Sequence, residues 1–511
     1  QIFFYLHAWC NGLRILGLFP LNGKSHWVMA ERLMTSLAER GHQVDVVTHF
    51  PMKNPPPNYE QISLDGTLQA VVNNIHIKNV TRFGRMNVKH LTEMAGTSIC
   101  ELLAHKELQD VIRRSKDRYD LVITELFAAP CYLAFGRHLN KPVIAIVTSV
   151  FHEWLSTSTG NPSNPAFVPG LFSSFGQRMT FWERLQNTFL TNLISWQMNY
   201  YLDQQAVYVK KFFNIDASIP ELHRDIAAIL VNSHHSINGV RPMTTGVIEV
   251  GGLHINENSD PLTPELKKWL DESTHGCIFF TFGSMVRIET FPKPLLETFY
   301  KVFERIAPIR VLMKVAQKKD LLPGLPKNVM IQPWFPQATH KNIKAFITHG
   351  GLMGTLEAIY FGIPMIGIPL FGDQIINLKN AASKNIAVNL GSVENITEEN
   401  LYNAIDTILH DETYRSSMQT ISKIFKDRPM SAIDTAIYWV EYVARNGFVL
   451  QSPAIHLTWW QQNLIDVYGF IIVCVAVVSY IAVFLVKKLK NCIFGCKPCV
   501  KKQTSESKKK K

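Results

Sequence analysis

Cysteine is scarce in the body of this 511-residue chain. Of its eight cysteines, Cys10 falls in an N-terminal apolar stretch, Cys474 in a C-terminal one, and Cys492, Cys496 and Cys499 in a basic tail. The remaining three, Cys100, Cys131 and Cys277, make no disulfide framework and have no metal-ligand spacing, so the fold is expected to rest on its core and to hold no metal. Net positive charge is equally thin outside the tail. The formal net charge is +11, but 487–511 alone holds ten Lys and one Glu, which leaves the other residues near neutrality. That distribution argues against a basic face, and no nucleic-acid partner is expected. The dinucleotide fingerprint GxGxxG is missing from the first strand–helix turn, which argues against a dehydrogenase. Gly17 and Gly23-Lys24-Ser25 imitate a P-loop, yet they are spaced one residue too widely and Gly17 lies inside an expected strand.

What is present is concentrated at 334–374. This stretch reads WFPQ, a short polar run, then AFITHGGLMGTLEAIYFGIPMIGIPLFGDQ. The apolar run 345–348 predicts a strand, His349-Gly350-Gly351 a tight turn, and Leu356, Ala358 and Ile359 a following helix that ends at Gly362. Glycines let a ligand approach the backbone, and the free N–H groups at the start of a helix suit a phosphate. A second buried strand over 364–370 puts Gly372-Asp373-Gln374 on the same side of the sheet, where open α/β sheets bind their ligands.

In this order and spacing the residues resemble the signature of the UDP-glycosyltransferases. The resemblance implies an α/β protein of GT-B architecture, with two Rossmann-like domains facing a cleft. It also implies a role for each matched position: Trp334 stacks on uracil, Gln337 bonds the nucleoside, and His349 with the Gly351 backbone holds the diphosphate. Glu357 takes the ribose hydroxyls, Asp373 and Gln374 the hydroxyls of the sugar, and the Gly283-Ser284 turn touches the diphosphate. Side-chain chemistry agrees, since an indole face suits a flat base and carboxylates and amides suit vicinal hydroxyls. Two positions depart from the pattern. Met353 stands where many relatives have Asn, and the segment between Gln337 and Ala345 is shorter than is typical. Val231 stands where glucuronate-using relatives tend to carry Arg, which favours a neutral donor such as UDP-glucose over UDP-glucuronate.

The first half opens with an expected strand at 14–19, a turn, an amphipathic helix marked by Val28, Ala30, Leu33, Met34 and Leu37, and a second strand at 44–48. Ser25 is the expected N-cap, and the helix dipole would keep His26 neutral, as a general base requires. By resemblance His26 deprotonates an acceptor hydroxyl, and Glu125, where relatives often have Asp, steadies the imidazole. The aromatic-rich stretch 172–201 supplies an acceptor wall by resemblance, whereas Phe181, Trp182, Leu185, Phe189 and Ile194 read more simply as the core face of helices.

The expected domains are a signal-peptide remnant at 1–12, which also reads as a buried strand, and an N-terminal acceptor domain at 13–235. A linker at 236–275 leads to a UDP-sugar domain at 276–450 and a juxtamembrane segment at 451–466. A transmembrane helix at 467–486 precedes the Lys-rich tail at 487–511. The charge-free run 467–486 would span about 30 Å as a helix, and the positive tail sets the body lumenal and the tail cytoplasmic. Sequons at Asn79 and Asn395 and the terminal Lys508–Lys511 run fit a single-pass type I protein of the endoplasmic reticulum. The expected activity is inverting transfer of a hexose from a UDP-sugar, as co-substrate and without a cofactor, to a small lipophilic acceptor. A membrane-anchored carrier of lipophilic ligands without catalysis is the alternative from another class, and self-association into a homo-oligomer stays open.

Overall fold

The computed structural model describes residues 12–84, 87–256, 262–335 and 340–495. The expected signal remnant therefore lies outside the described residues, apart from Gly12, and so do Gln337 and most of the Lys-rich tail. The chain divides into two compact units, Gln1–Ile455 and His456–Lys511.

The first unit holds two parallel sheets. Its N-terminal sheet contains β1 (Arg14–Phe19), β2 (Gln43–Thr48), β3 (Tyr59–Ser63), β4 (Leu121–Glu125), β5 (Val143–Val147), β6 (Ile226–Val231) and β7 (Val247–Glu249). The strand order is 3-2-1-4-5-6-7, with every neighbouring pair parallel. Strands such as VIAIV in β5 and IAAILV in β6 are buried at every position, because helices cover both faces of a parallel sheet. β7 falls in the stretch expected as linker and pairs with β6. Between β1 and β2 runs α1 (Lys24–Glu39), which buries Trp27, Met29, Ala30, Leu33, Met34 and Leu37.

The second sheet contains β8 (Cys277–Thr281), β9 (Arg310–Lys314), β10 (Val329–Gln332), β11 (Ile343–Thr348), β12 (Met365–Gly367) and β13 (Ala387–Asn389), in the order 10-9-8-11-12-13. In both sheets the strand order reverses once, between β1 and β4 in the first and between β8 and β11 in the second. Crevices beyond the strand ends at such points are where doubly wound sheets bind ligands.

Two devices join the lobes. The helix at Ala432–Asn446 returns to the first lobe, where Ala436, Ile437, Val440 and Val443 share a core cluster with Trp27 and Leu33. Residues 71–77 form a strap in the other direction. Val71 N–H donates to the Asn22 carbonyl beside α1, while Asn73 and Ile75 donate to the carbonyls of Ser284 and Met285. Ile75, Ile77 and Val80 are buried in the core of the second sheet.

Two expectations need correction. Cys100 and Cys131 form a disulfide, their Cα atoms 6.1 Å apart, so the body does contain a crosslink. Sequence could not reveal it because the pairing depends on how the helix carrying Cys100 docks beside the end of β4. The aromatic positions of α2 (Phe181–Asp203) are not its core face. Phe181, Trp182, Leu185 and Phe189 are all more than half exposed, as are Trp196 and Tyr200, and of the five expected core positions Ile194 alone packs against the core, beside Tyr201. The buried side is Asn187, Thr191, Met198 and Leu202. Apolar residues occupy both sides of this helix, so periodicity alone picked the wrong one.

In the second unit a helix spans Ile465–Phe494, 30 residues, long and apolar enough to cross a membrane. It extends the expected 467–486 span into the first lysines of the tail.

Candidate active site

The first half of the site is built at the reversal between β1 and β4. His26 sits in the first turn of α1, whose N-cap is Gly23 rather than Ser25, because the helix begins before the serine can cap it. Glu125 ends β4, so the two side chains meet across the crevice. His26 Nδ1 lies 2.6 Å from Glu125 Oε1, and the Thr148 hydroxyl lies 2.8 Å from the same oxygen and 2.9 Å from Nδ1. With a carboxylate at Nδ1, the proton there is held as a donor and Nε2 is left as the basic nitrogen. The imidazole remains 29% exposed while the Glu125 side chain is 7% exposed.

The expectation of a neutral His26 set by the helix dipole needs adjustment. Burial does oppose protonation, but the charge of Glu125 and its hydrogen bond outweigh it, with Asp373 adding, so the pKa is raised above the ordinary histidine value. Around the pair the surface is aromatic. Phe127 lies 5.1 Å from the His26 ring and 5.8 Å from His152, which stacks on Trp154 at 4.3 Å. Burial, then the charges of His26 and Arg241, lower His152 to about 3, so it adds no charge.

The second half of the site lies at the reversal between β8 and β11. Gly283 follows β8 in the left-handed region at φ +72°, and His349 follows β11. A Cβ at Gly283 would stand 2.8 Å from His349 Cε1, and one at Gly351 would stand 2.8 Å from His349 Nε2. Both positions must therefore be glycine for the ring to sit where it does. Burial, then the nearby Lys314 charge, lowers His349 to about 4, so it is a neutral imidazole. His349 Nδ1 and the Ser284 hydroxyl are buried with no hydrogen-bond partner. The helix α3 (Leu352–Phe361) starts at Gly351 with no side-chain cap, leaving first-turn N–H groups for a ligand. Buried donors without partners, a helix N-terminus and glycines that open the approach together suit a diphosphate.

Four of the remaining expected donor residues, Trp334, Glu357, Asp373 and Gln374, lie among the described residues. Trp334 is 51% exposed, a face available to a base. Glu357 lies on α3 with its carboxylate 3.4 Å from His254 Nε2. Asp373 accepts from Asn377 Nδ2 at 2.9 Å, and burial raises its pKa. The charges of Asp373 and His26 act on each other although they belong to different lobes. Gln374 is buried and its carbonyl accepts the backbone N–H groups of Leu370 and Phe371, so only its amide N–H groups remain for a sugar. Met353, in place of the expected Asn, turns to the seam between lobes, where its sulfur accepts from Asn232 Nδ2 at 3.2 Å.

Sequence reasoning missed Thr148 and Lys314. Thr148 follows the buried run 143–147, and its place at the end of a strand next to β4 was a usable signal. Lys314 ends β9, and a single lysine closing an apolar run reads as a strand end meeting solvent.

The chain is similar to known proteins along almost its whole length. Residues 14–506 match the family model described as UDP-glucoronosyl and UDP-glucosyl transferase. A UDP-glucosyltransferase 2 from Dactylopius coccus is 38% identical over 499 residues, covering 96% of this chain and 95% of that protein. UDP-glucuronosyltransferase 1A6 from Mus musculus is 29% identical over 522 residues, covering 97% and 94%. Among solved structures, the glycosyltransferase VinC in complex with dTDP aligns at a TM-score of 0.55 and 14% identity, covering 85% of this chain and 100% of that one. The kitacinnamycin glycosyltransferase aligns at 0.56 and 15%, covering 84% and 99%. At such identities these two show the fold, two parallel sheets of GT-B type. With the family matched along almost its entire length, the chain belongs to the UDP-glycosyltransferases and is a transferase that uses a UDP-sugar.

Proposed function

We propose that the protein transfers glucose from UDP-glucose to a hydroxyl of a small lipophilic acceptor, with inversion at the anomeric carbon. The observation that carries this reading is the His26–Glu125–Thr148 cluster, facing Asp373 of the other lobe. His26 Nε2 removes the acceptor proton while the Glu125 carboxylate orients Nδ1–H and balances the imidazolium. The freed oxygen attacks the anomeric carbon in line, the bond to the phosphate oxygen breaks, and its electron pair leaves with UDP. Ser284, His349 and the first N–H groups of α3 receive that charge. Trp334 and Gln337 hold the uridine, Glu357 the ribose, and Asp373 with the Gln374 amide the sugar hydroxyls.

Phe127 beside His26 supports an apolar acceptor. Glucose as the sugar is supported by the Dactylopius relative and by Val231, which is buried in the apolar core and offers no cation to a sugar carboxylate. The membrane-spanning helix, the Lys-rich tail and the Cys100–Cys131 disulfide support a lumenal body anchored in the endoplasmic reticulum by a single type I span.

Microsomes containing the full chain, given a panel of phenols with UDP-glucose or UDP-glucuronate, test the donor. Glucoside with release of UDP is the expected product. Glucuronide without glucoside would overturn the Val231 argument.

A further inference from the structure

Lys314 is the last residue of β9, and its side chain turns inward. It is 6% exposed, and among the described residues no carboxylate oxygen lies within 4.0 Å of its Nζ. A buried ammonium without a counter-ion is costly unless an anion arrives to pair with it. Its surroundings show where that anion would sit. Nζ donates to the Gly283 carbonyl at 2.5 Å and stands 5.1 Å from the centroid of the Trp334 ring. Gly283 is the residue against which His349 packs, and Ser284 follows it. Three groups able to donate therefore face one glycine turn: the Lys314 ammonium, the buried Ser284 hydroxyl and the buried His349 imidazole. The Ser284 hydroxyl and His349 Nδ1 have no hydrogen-bond partner, and the ammonium has no carboxylate oxygen within ion-pair distance among the described residues.

We propose that Lys314 is the resident cation of the donor site, the counter-charge for the diphosphate of the UDP-sugar and for UDP as it departs. The assignment rests on the donor-site reading above and adds a charge that its hydroxyl, imidazole and helix donors do not supply. When the anomeric carbon–oxygen bond breaks, negative charge grows on the β-phosphate, and a fixed ammonium in a dry pocket stabilises it without transferring a proton.

Burial, partly offset by Glu289, lowers Lys314 to about 8. The titratable groups facing it are Glu289, whose Oε1 is held by Arg287 Nε and the Gln317 N–H, and His349, already neutral. His349 stays neutral between pH 7.5 and 9.5. In the free protein Lys314 is charged below about 8 and loses its proton above it, so UDP affinity should fall as pH rises through that value.

The test measures UDP and uridine binding to the detergent-solubilised full chain, by titration calorimetry, for wild type, Lys314→Met and Lys314→Arg. Lys314→Met is expected to weaken UDP by about tenfold or more, the scale of a hydrogen bond to a charged group, and to leave uridine nearly unchanged. It should also abolish the loss of UDP affinity above pH 8. Lys314→Arg should keep the UDP-over-uridine preference and lose the pH dependence, because a guanidinium does not titrate there. Equal weakening of UDP and uridine would overturn the proposal and reduce Lys314 to a support for Trp334. Unchanged UDP binding in Lys314→Met would overturn it as well. Wild type that binds no UDP would instead remove the donor-site reading, and this assignment with it.

Discussion

His26→Ala is expected to lower kcat/KM for sugar transfer by about 10³-fold, within the 10²–10⁴ range of a well-placed general base and equivalent to about 4 kcal/mol of transition-state stabilisation. The reason is local. The Thr148 hydroxyl that touches the same Glu125 oxygen is too weak a base to replace an imidazole. UDP affinity is expected to stay at the wild-type value, because the diphosphate groups sit on the second sheet. Steady-state kinetics with a UDP binding titration separate the two effects. Near wild-type turnover in His26→Ala would remove the base assignment.

Glu125→Gln produces the second large effect and moves the pH profile in a defined direction. In the wild type, Glu125 overrides burial and raises the His26 pKa, so the limb where kcat/KM climbs with pH lies above the ordinary value of 6.5. Only the neutral imidazole accepts the acceptor proton, so activity is lost as pH falls through that pKa. Gln at 125 removes the charge and leaves burial in place. The pKa then falls, and the limb shifts to lower pH. The plateau drops by about 10²-fold because the imidazolium loses its counter-charge. A pH–rate profile of kcat/KM for both proteins reads the shift. A limb that stays in place would mean that another group titrates there.

Much of this site was legible before any coordinates. Strand, glycine turn and helix at 345–362 follow from local rules, since an apolar run, a glycine at positive φ and a helical period each leave a mark within a few residues. The reversals of strand order then place Glu125, Gly283 and His349 at or just beyond strand ends and His26 in the helix turn that follows β1, as α/β topology dictates. What sequence did not show depends on contacts between distant segments. The Cys100–Cys131 link, the strap from residues 71–77 to Ser284 and Met285, and the inward turn of Lys314 each join segments that only the tertiary fold brings together. The α2 reading failed for a different reason. Its aromatics repeat at helical spacing as a core face would, but the packed side is lined by Asn187, Thr191, Met198 and Leu202. Asn187 earns its burial by bonding the carbonyls of Pro165 and Val168 and the N–H of Gly170, so a polar residue holds the place that periodicity assigned to the aromatics.

The departures at Met353 and at the segment before Ala345 bear on how the donor is held. Met353 spends its side chain on the seam with Asn232, so the phosphate contact that an Asn would make must come from Ser284, His349, the backbone and, on the assignment above, Lys314. A chain that replaces a neutral amide donor by a buried cation would bind UDP more strongly at neutral than at alkaline pH.

The central claim is that a hydroxyl activated by His26 displaces UDP directly, in one step. The anomeric configuration of the product, read by proton NMR on glucoside made from α-linked UDP-glucose, tests it most directly. A β-glucoside is the result predicted by in-line attack. An α-glucoside would require retention, and with it a mechanism that the His26–Glu125 pair does not perform.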